Sequence, residues 1–251
     1  MRTQLKTFNI NILDITQKEL LESLNNGFLI TPNVDHLVKL QKDKEFYEVY
    51  QQADWIVCDS KIVALGLKLL GTPIKEVIPG SSFFPAYCNY HKDNKDVCIF
   101  LLGAAEGVAD KAKLLINERI GREIIVGSHS PSFGFEKSEE ECKNIIELIN
   151  NTDATVLVVG VGAPKQEKWI FKYKDQLPQI KVFMPLGATI DFEAGNIKRA
   201  PKRLRDLALE WLYRMFKDPK RLVKRYLVDD LPFFYYLLKQ KFGLYKDPFE
   251  K

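Results

Sequence analysis

Short apolar runs alternate with helix-like segments over most of the chain. The runs are continuously apolar, whereas apolar residues in the helix-like segments recur every three or four positions. The runs lie at 27–31, 55–58, 96–102, 123–127, 155–159 and 181–186, and the helix-like segments at 35–52, 62–70, 103–115, 137–150 and from about 165. Apolar strands separated by helices are typical of a parallel sheet covered on both faces. We therefore predict an α/β fold with a Rossmann-like, doubly wound and mostly parallel sheet.

The pattern changes near residue 197. Segment 201–216 places its apolar residues on one helical stripe, and Asp218 followed by Pro219 is a favourable start for a second helix. A third segment, 231–238, is almost wholly apolar and aromatic. We predict a Rossmann-like domain over 1–197 and a helical appendage over 198–251.

Charge is distributed unevenly between these two parts. The formal net charge is +4, but residues 198–251 hold 15 lysines and arginines against 7 aspartates and glutamates, a balance of +8. The remainder holds 22 basic and 26 acidic residues, a balance of −4. A basic appendage on a mildly acidic body indicates an anionic partner. Nucleic acid, anionic lipid and a diphosphate all fit this charge.

The sequence also argues against several classes of protein. It has no run of about 18 apolar residues, so we expect no segment that spans a bilayer. Residues 1–11 lack the apolar core of a signal peptide, so export is not expected. The four cysteines form no CxxC pair, which indicates reduced thiols in a cytoplasmic protein. His36, His91 and His129 show no metal-ligand spacing.

Polar residues follow several of the predicted strands. In doubly wound sheets ligands bind outside the carboxyl ends of the strands. Asp59 follows an apolar run, and a carboxylate there can act as a general base toward a hydroxyl. It can equally cap the helix that begins near Lys61, and Asn33 has the same ambiguity. Asp191 fits either a ribose contact or the cap of a turn.

A glycine-rich turn follows the fifth apolar run. Gly160 and Gly162 let a ligand approach the backbone closely, and the N-terminus of the next helix suits a phosphate. Lys165 stands where a dinucleotide fingerprint needs its third glycine, so a purely structural turn is an equal alternative. Gly187 ends the sixth run at the same predicted edge.

Familiar catalytic patterns are missing from the sequence. It has no Asp-x-Asp at a strand end, which is the usual carboxylate pair for a metal-chelated nucleotide sugar. It also has no GxxxxGK[ST] phosphate loop, no GxSxG and no Ser-His-Asp arrangement. We therefore expect neither a metal site nor a bound cofactor.

The strand-end motifs occur in an order that resembles one protein family. They are Thr31-Pro32-Asn33, Asp59, Gly160-Val161-Gly162-Ala163-Pro164-Lys165-Gln166-Glu167, Gly187-Ala188-Thr189-Ile190-Asp191-Phe192-x-Ala194-Gly195, Arg199-Ala200-Pro201 and Leu209-Glu210-Trp211-Leu212-Tyr213-Arg214. Over about residues 8–226 the chain resembles the WecG/TagA/CpsF family, glycosyltransferase family 26. The resemblance implies an inverting, metal-independent transfer from a UDP-sugar, often UDP-N-acetylmannosamine or its uronate, to a sugar on undecaprenyl diphosphate. The products of such transfers feed teichoic acid or other surface polysaccharides.

The resemblance also assigns roles to residues. It makes Asp59 the catalytic base, places Thr31 and Asn33 in the same pocket, and has Gln166 help to hold donor or acceptor. The other predicted substrate-binding residues are Gly160, Gly162, Pro164, Lys165, Gly187, Asp191, Arg214, Arg221 and Arg225. The appendage would bind the cytoplasmic face of the membrane, and its arginines would close over the diphosphate. Nucleic acid is not an expected partner, and a homo-oligomer is a further expectation because some members self-associate.

The chain departs from the family pattern at Val77, since members often carry arginine shortly before the glycine that matches Gly80. The cation is either absent or supplied elsewhere, which leaves the donor sugar open. Two other functions compete with sugar transfer. A nicotinamide-dependent oxidoreductase would need the complete glycine fingerprint. A non-enzymatic module for anionic lipid or nucleic acid would fit the basic appendage but leaves the strand-end polar residues unexplained.

Overall fold

The central sheet consists of parallel strands. The computed structural model describes residues 3–201, 203–204, 207 and 209–250, and at Arg221 it describes only the backbone. The strands are β1 (Gln4–Thr7), β2 (Ile10–Leu13), β3 (Gly27–Ile30), β4 (Trp55–Ile56), β5 (Ile99–Gly103), β6 (Ile125–His129), β7 (Val156–Gly160) and β8 (Val182–Pro185). β1 and β2 pair as an antiparallel hairpin. The other six lie in the order β4-β3-β8-β7-β5-β6, each parallel to its neighbours. All six predicted apolar runs are therefore strands, and their carboxyl ends share one edge.

The helices connect these strands and extend beyond them. They are α1 (Gln17–Ser23), α2 (Val34–Lys39), α3 (Lys44–Gln51), α4 (Lys61–Leu69), α5 (Gly80–Tyr90), α6 (Val108–Ile120), α7 (Glu139–Asn150), α8 (Lys165–Tyr173), α9 (Thr189–Glu193), α10 (Glu210–Lys217), α11 (Pro219–Lys224) and α12 (Pro232–Lys241). A π-helical turn, Arg225–Asp229, joins α11 to the last helix. None of the helices that the described residues form is long and apolar enough to cross a bilayer.

The sheet separates two hydrophobic cores, because successive side chains of a strand point to opposite faces. In β5, Phe100 and Leu102 belong to one core, and Ile99 and Leu101 to the other. Helices α2, α3, α7 and α8 cover the first core, and α1, α5, α6 and α9 cover the second. Coverage of both faces confirms the predicted doubly wound, Rossmann-like fold.

The prediction of a single helix over 35–52 is wrong. The chain forms two helices there, and α3 begins where Oδ1 of Asp43 accepts a hydrogen bond from the backbone N–H of Phe46 at 3.0 Å. An aspartate in this position caps a new helix. Since the apolar spacing continues across the break, the pattern alone does not reveal it. The β1–β2 hairpin was also not predicted, because each of its strands has only four residues.

The last helix is anchored to the body of the protein. Phe233 and Leu237 of α12 are buried in the first core, where they pack against Gly66 of α4. Gln240 ties the same helix to the hairpin, since its Oε1 accepts from the backbone N–H of Phe8 at 2.9 Å and its Nε2 donates to the carbonyl of Lys6 at 3.2 Å. The α10 helix, by contrast, has no buried residue. The boundary expected at 197/198 stays a prediction.

Candidate functional site at the carboxyl edge of the sheet

Asp59 lies just beyond β4, at the edge where the six parallel strands end. Its Oδ1 accepts a hydrogen bond from the backbone N–H of Gly80 at 2.8 Å. The α4 helix is capped instead by Ser60, whose Oγ accepts from the backbone N–H of Ile62 at 3.2 Å. Asp59 therefore does not cap α4. Its carboxylate is held against the first turn of α5.

The environment of Asp59 makes its carboxyl group less acidic than usual. Burial raises the pKa of Asp59 to about 6, and the Glu210 carboxylate adds to the rise. The N–H of Gly80 and the guanidinium groups of Arg214 and Arg225 act in the opposite direction. A carboxyl group whose pKa lies near the working pH suits proton transfer.

Thr31 reaches the same place from the end of β3. It is 7% exposed, and its Oγ1 would lie 3.3 Å from a Cβ added to Gly80. The same Cβ would lie 2.8 Å from Leu186, which follows β8. The loops after β3, β4 and β8 therefore meet at Gly80, where a Cβ would require Leu186 to shift. Asn33 follows in the same loop, where its Oδ1 caps α2 by accepting from the backbone of this helix at 3.2 Å.

Cationic side chains from the C-terminal segment approach this edge. Arg214 of α10 and Arg225 both lie near enough to favour the ionised form of Asp59. Nη2 of Arg225 is 3.4 Å from Oδ2 of Asp35, while its buried Nε has no hydrogen-bond partner among the described residues. The third predicted arginine, Arg221, has a side chain that falls outside the described part of the structure.

Arg199 brings a further guanidinium group to the first turn of α5. Its Nη2 donates to Oγ of Ser81 at 2.8 Å and to Oγ of Ser82 at 3.0 Å. This turn lies only a few residues beyond Val77, where the sequence lacks the expected arginine. Sequence reasoning quoted Arg199 within a motif but did not assign it to the site. The 118 positions that separate it from Ser81 give no sequence signal for the contact.

The glycines at the strand ends bring backbones into direct contact. A Cβ added to Gly160 would lie 2.6 Å from the carbonyl oxygen of Gly187, and one added to Gly103 would lie 2.6 Å from the backbone of Gly160. Gly162 differs, because it has a φ of +87° and a Cβ there would meet nothing within 4 Å. The turn therefore presents open space at Gly162 and close packing at Gly160.

Gln166 connects two of these loops. Its Oε1 accepts hydrogen bonds from the backbone N–H groups of Gly162 and Gly187, both at 3.1 Å. Only 2% of the residue is exposed. Both N–H groups are thereby occupied, so the predicted phosphate site cannot use them while this arrangement holds. The turn offers space to a ligand rather than these two donors.

The remaining predicted residues lie around the same turn. Pro164 immediately precedes α8, and Nζ of Lys165 lies 3.5 Å from Oε1 of Glu136 and 4.6 Å from the ring centroid of Phe133. Lys165 is thus engaged with the loop after β6. Asp191 lies in the first turn of α9. Thr31 and Asp59 both lie against Gly80, and Arg214 and Arg225 act on the Asp59 carboxylate.

Two further charged residues were not predicted. Nζ of Lys39 donates to Oδ2 of Asp35 at 2.7 Å and to the carbonyl oxygen of Ala163 at 3.1 Å. The pair therefore links α2 to the glycine turn and, through Asp35, to Arg225. In the sequence it is an ordinary i,i+4 ion pair on a helix, which carries no sign of a site.

The chemistry available at this edge follows from these contacts. A carboxylate that can accept a proton faces guanidinium groups that can hold a phosphate or another anion. Among the residues that the structure describes, no three His, Cys, Asp or Glu side chains are grouped so that they could hold a metal ion. The arrangement suits the attack of a hydroxyl group on a substrate with an anionic leaving group.

Comparison with known proteins agrees with this chemistry. Residues 5–247 match the model of the glycosyl transferase WecG/TagA/CpsF family. N-acetylglucosaminyldiphosphoundecaprenol N-acetyl-beta-D-mannosaminyltransferase of Staphylococcus aureus strain MRSA252 is 30% identical over 220 residues, which cover 86% of this chain and 80% of that relative. The enzyme of the same name from strain MW2 matches to the same extent. The chain therefore belongs to the WecG/TagA/CpsF family of glycosyltransferases.

Proposed function

We propose that the protein transfers a hexose from a UDP-sugar to a lipid-linked sugar acceptor, with inversion at the anomeric carbon. The observation that carries the proposal is Asp59, a carboxyl group of raised pKa at the sheet edge, opposed by Arg214 and Arg225. Membership of a glycosyltransferase family favours this function over the two alternatives, an oxidoreductase and a non-enzymatic binding module.

The names of the relatives suggest the two substrates. Those enzymes act on N-acetylglucosaminyldiphosphoundecaprenol and transfer N-acetyl-beta-D-mannosamine. We infer that this protein uses an undecaprenyl-diphosphate-linked sugar as acceptor and that N-acetylmannosamine or a related hexose is the sugar transferred. The product would enter the synthesis of teichoic acid or another surface polysaccharide.

The reaction is a single displacement. The acceptor hydroxyl attacks the anomeric carbon of the donor, and its proton passes to the carboxylate of Asp59. A new C–O bond forms as the bond between the anomeric carbon and the diphosphate oxygen breaks, and UDP leaves with the bonding electrons. Attack from the side opposite the leaving group inverts the configuration. Thr31, buried next to Gly80, would help to position the reacting sugars.

The leaving diphosphate gains negative charge, which the protein must stabilise. We propose that Arg214 and Arg225 do so, because one guanidinium group can donate two parallel hydrogen bonds to two phosphate oxygens. Arg225 is suited to this role since its Nε has no partner among the described residues. Arg199, at the first turn of α5, is the cation that we propose in place of the arginine expected at Val77. Transfer would then need no divalent metal.

We further propose that the C-terminal segment binds the cytoplasmic face of the membrane. Exposed apolar residues, Phe216, Leu227 and Val228, occur among the exposed lysines Lys217 and Lys220. Apolar side chains can enter the headgroup region while lysines meet anionic lipid. Docking there would bring the sheet edge to the lipid-linked acceptor.

The proposal is tested by offering the protein a panel of UDP-sugars, namely UDP-N-acetylmannosamine, UDP-N-acetylglucosamine and UDP-glucose. The acceptor is a short-chain lipid diphosphate carrying N-acetylglucosamine. We expect transfer from at least one donor, an inverted product by NMR, and unchanged rates in excess EDTA. Absence of transfer from all three donors argues against the function, and loss of transfer in EDTA with rescue by Mg²⁺ or Mn²⁺ argues against the metal-free reaction.

A further inference from the structure

Behind the glycine turn lies a group of buried polar side chains that the reaction does not use directly. One of these residues is Glu167, which follows Gln166 in the sequence and is completely buried. Its Oε1 accepts a hydrogen bond from Nε2 of Gln166 at 2.8 Å. Its Oε2 is buried without a hydrogen-bond partner among the described residues. A carboxyl oxygen buried without a hydrogen-bond partner costs free energy.

The bond from Glu167 orients Gln166. An amide side chain has one acceptor and two donor positions, and a flip by half a turn exchanges them. Because Nε2 is held by Glu167, Oε1 must face the N–H groups of Gly162 and Gly187. Without the carboxyl group the amide can rotate, and both loops then lose their common acceptor.

The imidazole of His36 on α2 lies beside Glu167, without a hydrogen bond between them. Nε2 of His36 lies 4.0 Å from Oε1 of Glu167, and Nδ1 of His36 lies 2.7 Å from the hydroxyl of Tyr50. The backbone N–H of His36 donates to Asn33, which follows β3. A chain of buried polar groups therefore runs from the loop after β3 to the loops after β7 and β8.

Burial favours the neutral form of Glu167. Burial raises the pKa of Glu167 to about 7, and Asp35 adds to the rise, whereas the bond from Gln166 and the charge of Lys39 lower it. Burial also lowers the pKa of His36 to about 3, so the imidazole is neutral. Because the imidazole is neutral, protonation of Glu167 leaves no charge buried in this pair.

We propose that Glu167 is a positioning residue for donor binding: by orienting Gln166 it fixes the loops after β7 and β8 at the spacing that receives the donor. The inference rests on the proposed function only in naming a UDP-sugar as the donor. The fixing of the loops is a property of the free protein. The two can therefore be tested separately.

The test compares Glu167→Ala with Glu167→Gln in the full-length protein. The amide oxygen introduced by Glu167→Gln can still accept from Gln166, whereas Glu167→Ala removes the acceptor. Backbone hydrogen exchange in segments 160–163 and 186–188 is measured without ligand, together with KM and kcat for the best donor. Since one hydrogen bond is worth about 1 kcal/mol, we expect Glu167→Ala to speed exchange and raise the donor KM roughly fivefold, with kcat changed much less.

A matched control separates positioning from a general loss of stability. Gln41 is a buried amide that bonds Asn9 and Tyr245 and neither of the two glycine loops. Gln41→Ala should destabilise the protein without changing the donor KM or the exchange of the two segments. Glu167→Gln should leave the donor KM and the exchange of the two segments close to their wild-type values.

Unchanged exchange in folded Glu167→Ala overturns the proposal, as does faster exchange with an unchanged donor KM. If Glu167→Ala does not fold, Gln166→Met tests the same link, since it removes the amide and keeps the length of the side chain. Slow exchange in both segments of folded Gln166→Met would then overturn the proposal. Failure of the proposed function would instead appear in the transfer assay, as absence of sugar transfer by the wild-type protein.

Discussion

The candidate site has two halves that are built by different forces. The strand-edge half, which comprises the loops after β3, β4, β7 and β8, is packed backbone to backbone and tied by buried hydrogen bonds such as those of Gln166. The C-terminal half, which comprises α10, α11 and the π-helical turn, rests on the body with few buried residues, among them Leu222. It contributes charge through Arg214 and Arg225.

The strand-edge half therefore supplies precise positions, and the C-terminal half supplies electrostatic attraction for anions. Close packing fixes atoms to within fractions of an ångström, which a displacement reaction needs at its reacting centre. Guanidinium and ammonium groups on the surface act over longer distances and tolerate movement, but salt screens them. Changes in the strand-edge half should therefore affect turnover regardless of salt, and changes in the C-terminal half should depend on salt.

The largest effect is expected for Asp59→Asn, in the strand-edge half. The substitution keeps the shape of the side chain and removes its basicity. Loss of a general base should lower kcat by roughly 10²–10⁴-fold at every salt concentration. The control for the change of charge is Asp93→Asn, because Asp93 is exposed. Asp54 is unsuitable, since it lies immediately before β4 and its Oδ2 accepts a hydrogen bond from the backbone N–H of Phe28. Near-normal turnover by folded Asp59→Asn would remove Asp59 from the mechanism.

The next effect concerns the surface lysines of the C-terminal half. Each lysine near an anionic bilayer contributes about 1 kcal/mol, so replacing Lys217, Lys220 and Lys224 by alanine should weaken vesicle binding by roughly two orders of magnitude. Sedimentation with vesicles that contain phosphatidylglycerol measures this. Turnover on a soluble acceptor should stay within about twofold. Vesicle binding that is unchanged by the three substitutions, or unaffected by high salt, would exclude these lysines from membrane contact.

Arg225→Ala tests whether the guanidinium group of Arg225, in the same half, contributes to sugar transfer as we propose. A hydrogen bond to a charged group is worth about 1.5–3 kcal/mol, so transfer to a soluble acceptor should fall at least roughly tenfold. The neighbouring Lys224 is exposed, and Lys224→Ala should have little effect in this assay. Equal rates for the two variants would show that Arg225 does not contact the diphosphate.

A smaller effect is expected at Gly162. Its φ of +87° is unfavourable for alanine, and the open space above it is where we place the donor. Gly121, at the end of α6, has a φ of +79° and equally open space, which makes Gly121→Ala a matched control for backbone strain. Gly162→Ala should weaken UDP binding severalfold, on the order of 1 kcal/mol by calorimetry, and Gly121→Ala should not. Equal UDP affinities would place the donor elsewhere.

Much of the fold could be predicted from sequence because the central strands are mostly buried on both faces and are therefore mainly apolar. The edge strand β6 is the exception, since it ends in the half-buried Ser128 and His129. The break at Asp43 could not, since a capping aspartate leaves the apolar spacing intact. The same limit applied to Asp59. Spacing allowed it to be a helix cap or a base, and only the structure shows that Ser60 takes the cap.

The candidate site was predictable where it depended on strand ends and motifs, as at Thr31 and Asp59. It was not predictable where it depended on contacts between distant segments. Arg199 meets Ser81 across 118 positions, and Gln166 meets Gly187 across 21. The periodicity of apolar residues in the sequence does not predict such contacts, because the sheet topology brings the segments together only on folding.

The most direct test of the account is the pH dependence of kcat/KM for sugar transfer to a soluble acceptor between pH 5 and 8. Asp59 must be ionised to accept a proton, and burial raises its pKa to about 6. We therefore predict that kcat/KM is level above that pH and falls as pH decreases, approaching tenfold per unit once Asp59 is mostly protonated. The residual activity of Asp59→Asn should lack this fall. A level wild-type profile down to pH 5, or the same fall in both proteins, would contradict the assignment of Asp59 as the base.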